Sequence, residues 1–441
     1  MEDWLWASAA ELGRGIDEGR IDPVALTRMY LEAIDAHPLR DRIYVRVTAE
    51  RAIAEAEAAA ARAAAGLRRS PLDGVPVSWK DLFDTAGVET EAGTALMKGR
   101  VPAQDAAVLK SATAMGLVCL GKTHLSEIAF SGLGLNPITA TPPNRNDPDA
   151  VPGGSSSGAA ASVAFGLAAA AVGSDTGGSA RVPPAWNDLV GLKTTHGLLS
   201  TVGAVPLCET FDTVGPIGRT VEDVTLMLAA LGGPTVDLGG ATLTGRRFLI
   251  LETVLMEDVE DTPREAFFDA VAKLEAAGAT VDRGEWGPLE EAYAMAGGLF
   301  TADAWSFWSE LVEANGEVMF PAIRDRVSAG KGIAASDYLR DWRRLRALRG
   351  DYTARVAGYD AVLSPTAALM PPKVERLLSD DEYYRVTNLK TLRNTRLANL
   401  MGLSSLTVPT GTPSTGLMLS GAPGGEAGLL RLGAAIEPLL A

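Results

Sequence analysis

Short apolar runs bounded by glycine or proline alternate along the chain with longer segments of helical periodicity. Such short runs are typical of buried β-strands, because a buried helix is usually ten or more residues long. They predict strands in the ranges 75–80, 116–123, 168–175, 246–253, 278–284, 359–367 and 403–411. Amphipathic segments predict helices at 262–277, through most of 287–358 and at 425–441. This alternation predicts an α/β fold, with a central sheet covered by helices on both faces.

The first 66 residues are predicted to be helical. Ser8 and Glu11 have the spacing of a capping box, and Asp22 before Pro23 predicts a second helix start. An alanine-rich segment then ends at Gly66, a residue suited to the position just after a helix.

Composition narrows the class of protein. No repeat, linker or block of like charges divides the 441 residues, which favours a single domain. The net charge of −15 argues against a nucleic-acid groove, which needs clustered Lys and Arg. Residues 151–174 carry no charge, but Ala, Gly and Ser do not drive membrane insertion. With an acidic start and only two cysteines, the chain is expected to be soluble and cytoplasmic, without a disulfide framework.

Residues 116–123, GLVCLGKT, match the spacing of a phosphate-binding loop. In such a loop the four central residues wrap around the phosphate with their backbone N–H groups. Here they are Leu-Val-Cys-Leu, which predicts the interior of a strand. A strand and a tight turn are therefore favoured, and nucleotide binding is kept as an alternative.

Residues 154–158, GSSSG, match the nucleophile elbow of serine hydrolases. That elbow follows a strand, whereas a proline turn precedes this segment. The three histidines, His37, His124 and His196, are too scattered to suggest a Ser-His-Asp triad or a metal site. If a serine here takes part in catalysis, its base is not a histidine.

Residues 172–183, VGSDTGGSARVP, carry a third pattern at the end of a predicted strand. Consecutive N–H groups of Thr176, Gly177, Gly178 and Ser179 could bind the oxygen of a substrate carbonyl, since small residues let it approach the backbone. Ser179 would then lie beside this oxyanion hole, where a nucleophile belongs. Taken alone, the segment is equally typical of a glycine turn before a helix.

Three segments together, GVPVSWKD, PGGSSSG and GSDTGGSARVP, resemble the amidase signature family of serine hydrolases. The resemblance continues through GLKTTHG, YDAVLSPT and LTVPTG, and so covers nearly the whole chain. It implies one large amidase domain over residues 1–441, built on a twisted mixed β-sheet with helices on both faces. It also implies hydrolysis of a carboxamide-type C–N bond through an acyl-enzyme, without a metal or an organic cofactor.

The resemblance also implies the catalytic residues. It places the family's catalytic lysine at Lys80, its bridging serine, preceded by a cis peptide bond, at Ser155, and its nucleophile at Ser179. Ala129 and Ser131 fall where the family lines its substrate pocket. To act as a base near neutral pH, Lys80 needs a pKa lowered by burial from its usual value of about 10.4. In a strand, Asp81 would point away from Lys80 and would not hold its charge.

Some residues depart from the family pattern or have no assigned role. Ala180 and the segment PPAWND replace a larger aliphatic residue and PAAFCG, which changes the pocket beside Ser179. Asp175 and Arg181 are expected to pair structurally.

Residues 287–358 are expected to form a helical cap over the substrate pocket. Its tryptophans would face either an aromatic substrate or the core; they are Trp305, Trp308 and Trp342. Its arginines would hold a substrate carboxylate or, as the pattern favours, form a solvated helix face; they are Arg324, Arg326, Arg343 and Arg344.

Two alternatives to a stand-alone amidase with a small-molecule substrate stay open. One is the glutaminase-type subunit of a tRNA-dependent amidotransferase, which needs partner subunits. The other is a non-catalytic protein, either an inactive scaffold or a nucleotide binder that uses residues 116–123. The sequence also leaves open whether the chain forms a homodimer.

Overall fold

The computed structural model describes residues 2–440, which fold around one mixed sheet of eleven strands. In chain order the strands are β1 Tyr44–Val47, β2 Pro76–Lys80, β3 Val118–Thr123, β4 Ala170–Asp175, β5 Val190–Lys193, β6 Thr213–Gly218, β7 Arg247–Leu251, β8 Thr280–Gly284, β9 Ala361–Pro365, β10 Ser405–Pro409 and β11 Gly416–Ser420.

The strand order across the sheet is β1-β3-β2-β4-β6-β5-β10-β11-β9-β7-β8. The pairs β3/β2, β2/β4, β9/β7 and β7/β8 are parallel, and the other neighbouring pairs are antiparallel. Every residue of β2, β3, β4 and β6 is buried, so both faces of the sheet are covered there. The predicted mixed α/β architecture is confirmed.

The covering helices are α1 Ala9–Asp17, α2 Pro23–Ala36, α3 Arg40–Ile43, α4 Ala49–Ala64, α5 Ala107–Ala114, α6 Ser157–Ala164, α7 Val182–Trp186, α8 Val221–Ala230, α9 Asp261–Ala276, α10 Pro288–Asn315, α11 Pro321–Ser328, α12 Ala335–Val356, α13 Val374–Ser379, α14 Asp381–Thr391, α15 Arg396–Met401 and α16 Glu426–Leu440. Within residues 2–440, every helix is too short or too polar to span a lipid bilayer.

The N-terminal part is mostly helical, as predicted, with one error. The capping box of Ser8 and Glu11 is present, and the Asp22 side chain accepts a hydrogen bond from the third residue of α2. The prediction of helix throughout 1–66 is wrong at β1, which pairs antiparallel with β3 at the edge of the sheet. Four residues between two helices, one buried and three partly buried, are too few to show a strand period.

The seven predicted strands are confirmed, but β5, β6 and β11 were not predicted. In β6, glycine and proline occupy three of six positions, Gly215, Pro216 and Gly218, and these residues normally indicate turns. A Cβ at Gly215 would lie 2.5 Å from the Ala180 side chain and 2.5 Å from the Leu192 carbonyl oxygen. Gly215 therefore allows the chain around Ser179 to pack directly on the sheet.

Residues 116–123 do not form a phosphate-binding loop. Lys122 lies inside β3, and its Nζ contacts Asp81 Oδ1 at 3.1 Å and Thr90 Oγ1 at 2.8 Å. Both Lys122 and Asp81 are fully buried, so this lysine forms a structural ion pair. The strand predicted for this segment is confirmed.

Candidate active site

Lys80 ends strand β2, and its side chain is completely buried among hydroxyl groups. Its Nζ lies 2.7 Å from Ser155 Oγ, 2.8 Å from Ser174 Oγ and 3.1 Å from Ser156 Oγ. Ser174 belongs to β4, the parallel neighbour of β2. Ser155 and Ser156 lie in the turn before α6. The sheet thus brings together residues that are far apart in the sequence.

Burial lowers the pKa of Lys80 from its usual value to about 7, although the charges of Asp212 and Asp175 act in the opposite direction. Asp81 does not offset this effect, because its carboxylate faces away and contacts Lys122 and Arg46. A substantial fraction of Lys80 is therefore the neutral amine near pH 7, which is the form a general base requires.

The hydroxyl contacts restrict how a neutral Lys80 can bond. A neutral amine has two N–H donors and one lone pair, so one of its three contacts must donate to it. Ser156 Oγ already donates to the Ser174 carbonyl oxygen at 3.2 Å, and so it accepts from Lys80. The hydroxyl that donates to the Lys80 lone pair is therefore that of Ser155 or Ser174. Of the two contacts with Lys80 Nζ, the one with Ser155 Oγ is the shorter.

The peptide bond between Gly154 and Ser155 is cis, as the family resemblance implies. The turn is held by two backbone hydrogen bonds, from Gly154 N–H to the Gly132 carbonyl and from Ser126 N–H to the Ser155 carbonyl. These bonds fix Ser155 on the Lys80 side of the sheet end.

Ser179 lies in the turn between β4 and α7 and is 5% exposed. Among the hydrogen bonds of residues 2–440, none joins its hydroxyl to that of Ser155, whose Oγ contacts Lys80. Ser179 lines a narrow space, the inner cleft, together with Ala129, Ser131, Thr176, Gly177 and Leu392. The cleft has a volume of about 20 Å³, enough for one water molecule, so an amide enters only if side chains at its mouth move apart.

The structure corrects one of the predicted oxyanion donors. Gly178 N–H donates to Asp175 Oδ1 at 2.9 Å and is therefore not free for a substrate oxygen. The N–H groups of Thr176, Gly177 and Ser179 have no acceptor among residues 2–440. The set of free donors is thus these three residues.

A buried ion pair stabilises the turn that contains Ser179. As predicted, Arg181 pairs with Asp175, donating from Nε and Nη2 to its two oxygens at 2.9 Å each. Asn399 Nδ2 donates to the same carboxylate, and Arg181 Nη1 donates to the Thr395 carbonyl. Burial alone would raise the pKa of Asp175, but the Arg181 charge and these hydrogen bonds lower it to about 2.

Gly178 lets the same turn pack closely against the start of α15. Its φ is +144°, and a Cβ there would lie 2.2 Å from Thr395 Oγ1. Thr395 Oγ1 in turn donates to the Gly177 carbonyl at 2.7 Å. A residue with a side chain at position 178 would push the turn away from α15 and displace the free N–H groups.

The inner cleft opens into a wider outer cavity of about 650 Å³. Phe130, Phe300, Arg326 and Arg396 line both spaces, and α10, α11 and α14 supply most of the remaining wall. Ala129 and Ser131 line the inner cleft, and the Ser131 hydroxyl accepts from Tyr384 Oη at 3.0 Å.

The comparisons with known proteins agree with this arrangement. The family model described as Amidase matches residues 25–430. The chain belongs to the amidase family. It is 35% identical over 382 residues to the 2-amino-5-chloromuconic acid deaminase of Comamonas testosteroni, covering 84% of this chain and 82% of that one.

Two further relatives extend over almost the full length. A subunit of the glutamyl-tRNA(Gln) amidotransferase of Chloroflexus aggregans is 30% identical over 474 residues, covering 98% of this chain and 96% of that one. A crystal structure described as an amidase superposes with a TM-score of 0.89 at 29% identity, covering 99% of this chain and 100% of that one. As a member of the amidase family, the chain is a hydrolase that cleaves amide C–N bonds.

For several side chains of this amidase, the structure decides between the alternatives that the sequence left open. Trp308 is fully buried and donates to the Pro206 carbonyl, while Trp342 stacks on Phe211. Neither tryptophan, nor Trp305, lines the inner cleft or the outer cavity. The solvated helix face that the pattern favours for Arg326 is wrong, because this residue lines both the inner cleft and the outer cavity.

Four residues around the site carry no signal in the sequence: Ser174, Asp212, Asn399 and Arg396. Asp212 accepts a hydrogen bond from the Thr176 hydroxyl and from the N–H groups of Leu207 and Cys208. Burial raises its pKa to about 6. Asp212 lies far along the chain from Thr176, and only the pairing of β4 with β6 brings them together.

We expect Arg181→Met to destabilise the amidase by about 3–5 kcal/mol, because the Asp175 carboxylate would stay buried without its partner. Urea unfolding of the purified variant measures the loss. The matched control is Arg344→Met, which removes an exposed ion pair with Glu291 and should change the free energy of unfolding little. Similar losses in both variants would contradict a structural role for the buried pair.

Proposed function

We propose that Ser179 is the nucleophile of this amidase, that Lys80 is its general base, and that Ser155 transfers the proton between them. The observation that carries the proposal is the buried Lys80 amine, 2.7 Å from Ser155 Oγ and with a pKa lowered to about 7. A lysine in this state can accept a proton at neutral pH without help from histidine.

In the proposed reaction, Ser179 Oγ attacks the carbonyl carbon of the amide. Its proton passes to Ser155 Oγ as the Ser155 proton moves to Lys80 Nζ. The developing oxyanion is stabilised by the N–H groups of Thr176, Gly177 and Ser179. Lys80 then returns the proton through Ser155 to the nitrogen, the C–N bond breaks, and the amine leaves an acyl-enzyme on Ser179.

Water completes the cycle by the same route. It attacks the acyl-enzyme, gives its proton to Lys80 through Ser155, and the acid leaves when Ser179 regains a proton. The transfer requires the Ser179 and Ser155 hydroxyls to come within hydrogen-bond distance. Such bonds commonly form only once substrate is bound, and the narrow inner cleft must widen for that to happen.

The proposal extends to the surroundings of the site. Ala129 and Ser131 would contact the substrate, and residues 287–358 would act as a cap, since α10 and α11 supply walls of the outer cavity. We propose that the chain acts without partner subunits on a small-molecule amide. A cytoplasmic location is supported by two buried, unpaired cysteines, Cys119 and Cys208.

A hydrolysis screen of the purified chain alone tests the proposal, with aliphatic amides, anilides, ureas and glutamine as substrates. We expect release of ammonia or amine together with the acid from at least one amide, and none from the Ser179→Ala variant. Activity confined to glutamine, and present only with added partner subunits, would instead favour the amidotransferase alternative. The relative from Chloroflexus aggregans gives that alternative its support.

A further inference from the structure

Two arginines, Arg326 and Arg396, lie where the inner cleft meets the outer cavity. Arg326 belongs to α11, and Arg396 is the first residue of α15. Since both residues line the same narrow space as Ser179, a substrate bound at Ser179 lies close to both of them.

Both arginine side chains lie close to the carbonyl site. Arg326 Nη1 donates to the Phe130 carbonyl at 2.8 Å, and its guanidinium lies 4.2 Å from the centre of the Phe130 ring. The Arg396 Cγ is 4.0 Å from where a Cβ on Gly177 would stand, so its stem lies against the turn with the free N–H groups. The guanidinium of Arg326 is thus held in place, and Arg396 is positioned by its stem.

Neither arginine has a carboxylate partner among the side chains of residues 4–440. Burial lowers the pKa of both, and the charge of Arg396 lowers that of Arg326 further. By contrast, Arg181, which is fully buried, is paired with Asp175. Two adjacent, partly buried cations without an anion form an arrangement that a bound carboxylate would stabilise.

The acidic residues of the outer cavity do not supply that anion. Asp325 pairs with Arg324, Glu382 pairs with Arg385, and Asp381 is exposed at the rim. The lining of the inner cleft contains no Asp or Glu. The charge at the entrance to Ser179 is therefore positive and uncompensated.

We propose that Arg326 and Arg396 bind a carboxylate of the substrate, and that the substrate is a monoamide of a short dicarboxylic acid. The inference rests on the proposed role of Ser179 and names the substrate class of that site. Guanidinium groups can hold a carboxylate through paired hydrogen bonds, which fixes its orientation as well as its charge. The short reach from the arginines to Ser179 limits the chain between the carboxylate and the amide to a few carbons.

The same lining disfavours an amino acid such as glutamine. Its α-ammonium group would lie beside two arginines, with no carboxylate in the inner cleft to receive it. The walls here are apolar, formed by Phe130, Phe300 and Leu392, and they suit a chain of methylene groups.

Matched substrates test the inference. Succinamate and butyramide differ by a carboxylate in place of a methyl group, as do glutaramate and valeramide. We expect kcat/KM to favour the acidic member of each pair by at least about 100-fold, since each charged hydrogen bond contributes about tenfold or more. Glutamine should be hydrolysed less efficiently than glutaramate.

Arginine variants assign that preference to the two residues. Arg326→Met and Arg396→Met keep an unbranched apolar stem and remove the charged guanidinium, and each should lower the preference by about 10- to 100-fold. The control is Arg324→Met, which removes an arginine of the same helix that lines neither space, and the preference should stay at the wild-type level. Melting curves show whether each variant is folded. If one of them is not, Arg396→Lys takes its place, because lysine keeps the positive charge but cannot form the paired hydrogen bonds of a guanidinium group.

A wild-type preference for butyramide would overturn the inference, and so would equal preferences in Arg326→Met and Arg324→Met.

If no amide is hydrolysed, calorimetric titration of Ser179→Ala with succinamate decides. Binding that is lost when Arg396→Met is added would support carboxylate recognition although the proposed function had failed. Absence of binding would overturn carboxylate recognition. Hydrolysis of neutral amides alone would leave the proposed function standing without this substrate class.

Discussion

Ser179→Ala is expected to reduce amide hydrolysis by at least about 10⁴-fold. Without the hydroxyl no acyl-enzyme can form, and only binding and oxyanion stabilisation remain, which by themselves give little turnover. Ser155→Ala should lose activity on a similar scale, because residues that act as one unit do not contribute additively. The measurement is single-turnover hydrolysis of the best amide from the screen, together with labelling by a fluorophosphonate probe.

Serines of the neighbouring turn provide the controls. Ser157→Ala makes the same change beside Ser156 but removes only a weak contact with the His124 carbonyl at 3.4 Å, so its activity should stay close to wild type. Ser156→Ala should have an intermediate effect, since it removes one of the three hydroxyl contacts of Lys80. Probe labelling at Ser156 instead of Ser179 would contradict the assignment and restore the nucleophile-elbow hypothesis.

Lys80→Ala is expected to impair hydrolysis of an anilide far more than hydrolysis of the corresponding p-nitrophenyl ester. The amine of an anilide cannot leave as an anion and must receive a proton, whereas p-nitrophenolate leaves without one. General acid–base catalysis contributes about 10²–10⁴-fold, and the relay supplies it both at attack and at departure. The N–H groups near Ser179 assist both substrates alike.

The pH dependence gives an independent measure of Lys80. Because only the neutral amine accepts a proton, the wild-type rate should rise with pH through an apparent pKa of about 7 and level off above it. This rise of the rate with pH, the pH limb, should be missing from the residual ester hydrolysis of Lys80→Ala. Lys193 also has a pKa lowered to about 7 by burial, but it donates to the Thr194 and Leu403 carbonyls, so Lys193→Met should keep the limb.

Equal losses on both substrates, or an unchanged pH limb in Lys80→Ala, would remove Lys80 from the mechanism. Melting curves of Lys80→Ala and Lys193→Met accompany these measurements, because both lysines are fully buried. Below about pH 6, protonation of Asp212 would add a second effect through Thr176. The assignment of Lys80 therefore rests on the range above pH 6.

Local patterns predicted most of the fold, because burial and capping leave signals within a few residues. Strands such as β7 and β9 contain short continuous apolar runs, and the starts of α1 and α2 carry their own caps. The strand β6 was missed because close packing against the Ser179 turn requires glycine there, and glycine locally resembles a turn.

The proposed catalytic residues carry a different kind of sequence signal from the residues around them. Lys80, Ser155 and Ser179 stand in segments whose glycine and serine pattern resembles a known family. Ser174 and Asp212 reach the site through contacts between neighbouring strands, and Arg396 lines the inner cleft from α15. Nothing in the residues next to them in the sequence indicates these positions. Gly178 was predicted to offer a free N–H group, but this group donates to Asp175. The sequence does not show which backbone N–H groups of a turn are already hydrogen-bonded within the protein.

The strand order divides the molecule at one seam, where β5 pairs with β10. On one side of it lie β1 to β6, and this half of the chain contains Lys80, Ser155 and Ser179. On the other side lie β7 to β11, and the same half supplies Arg326, Arg396 and the helices around the outer cavity. If these proposed roles hold, mutations in the second half change which amide is accepted while the proposed proton relay stays intact, so that new substrate preferences can evolve without the chemistry being built again.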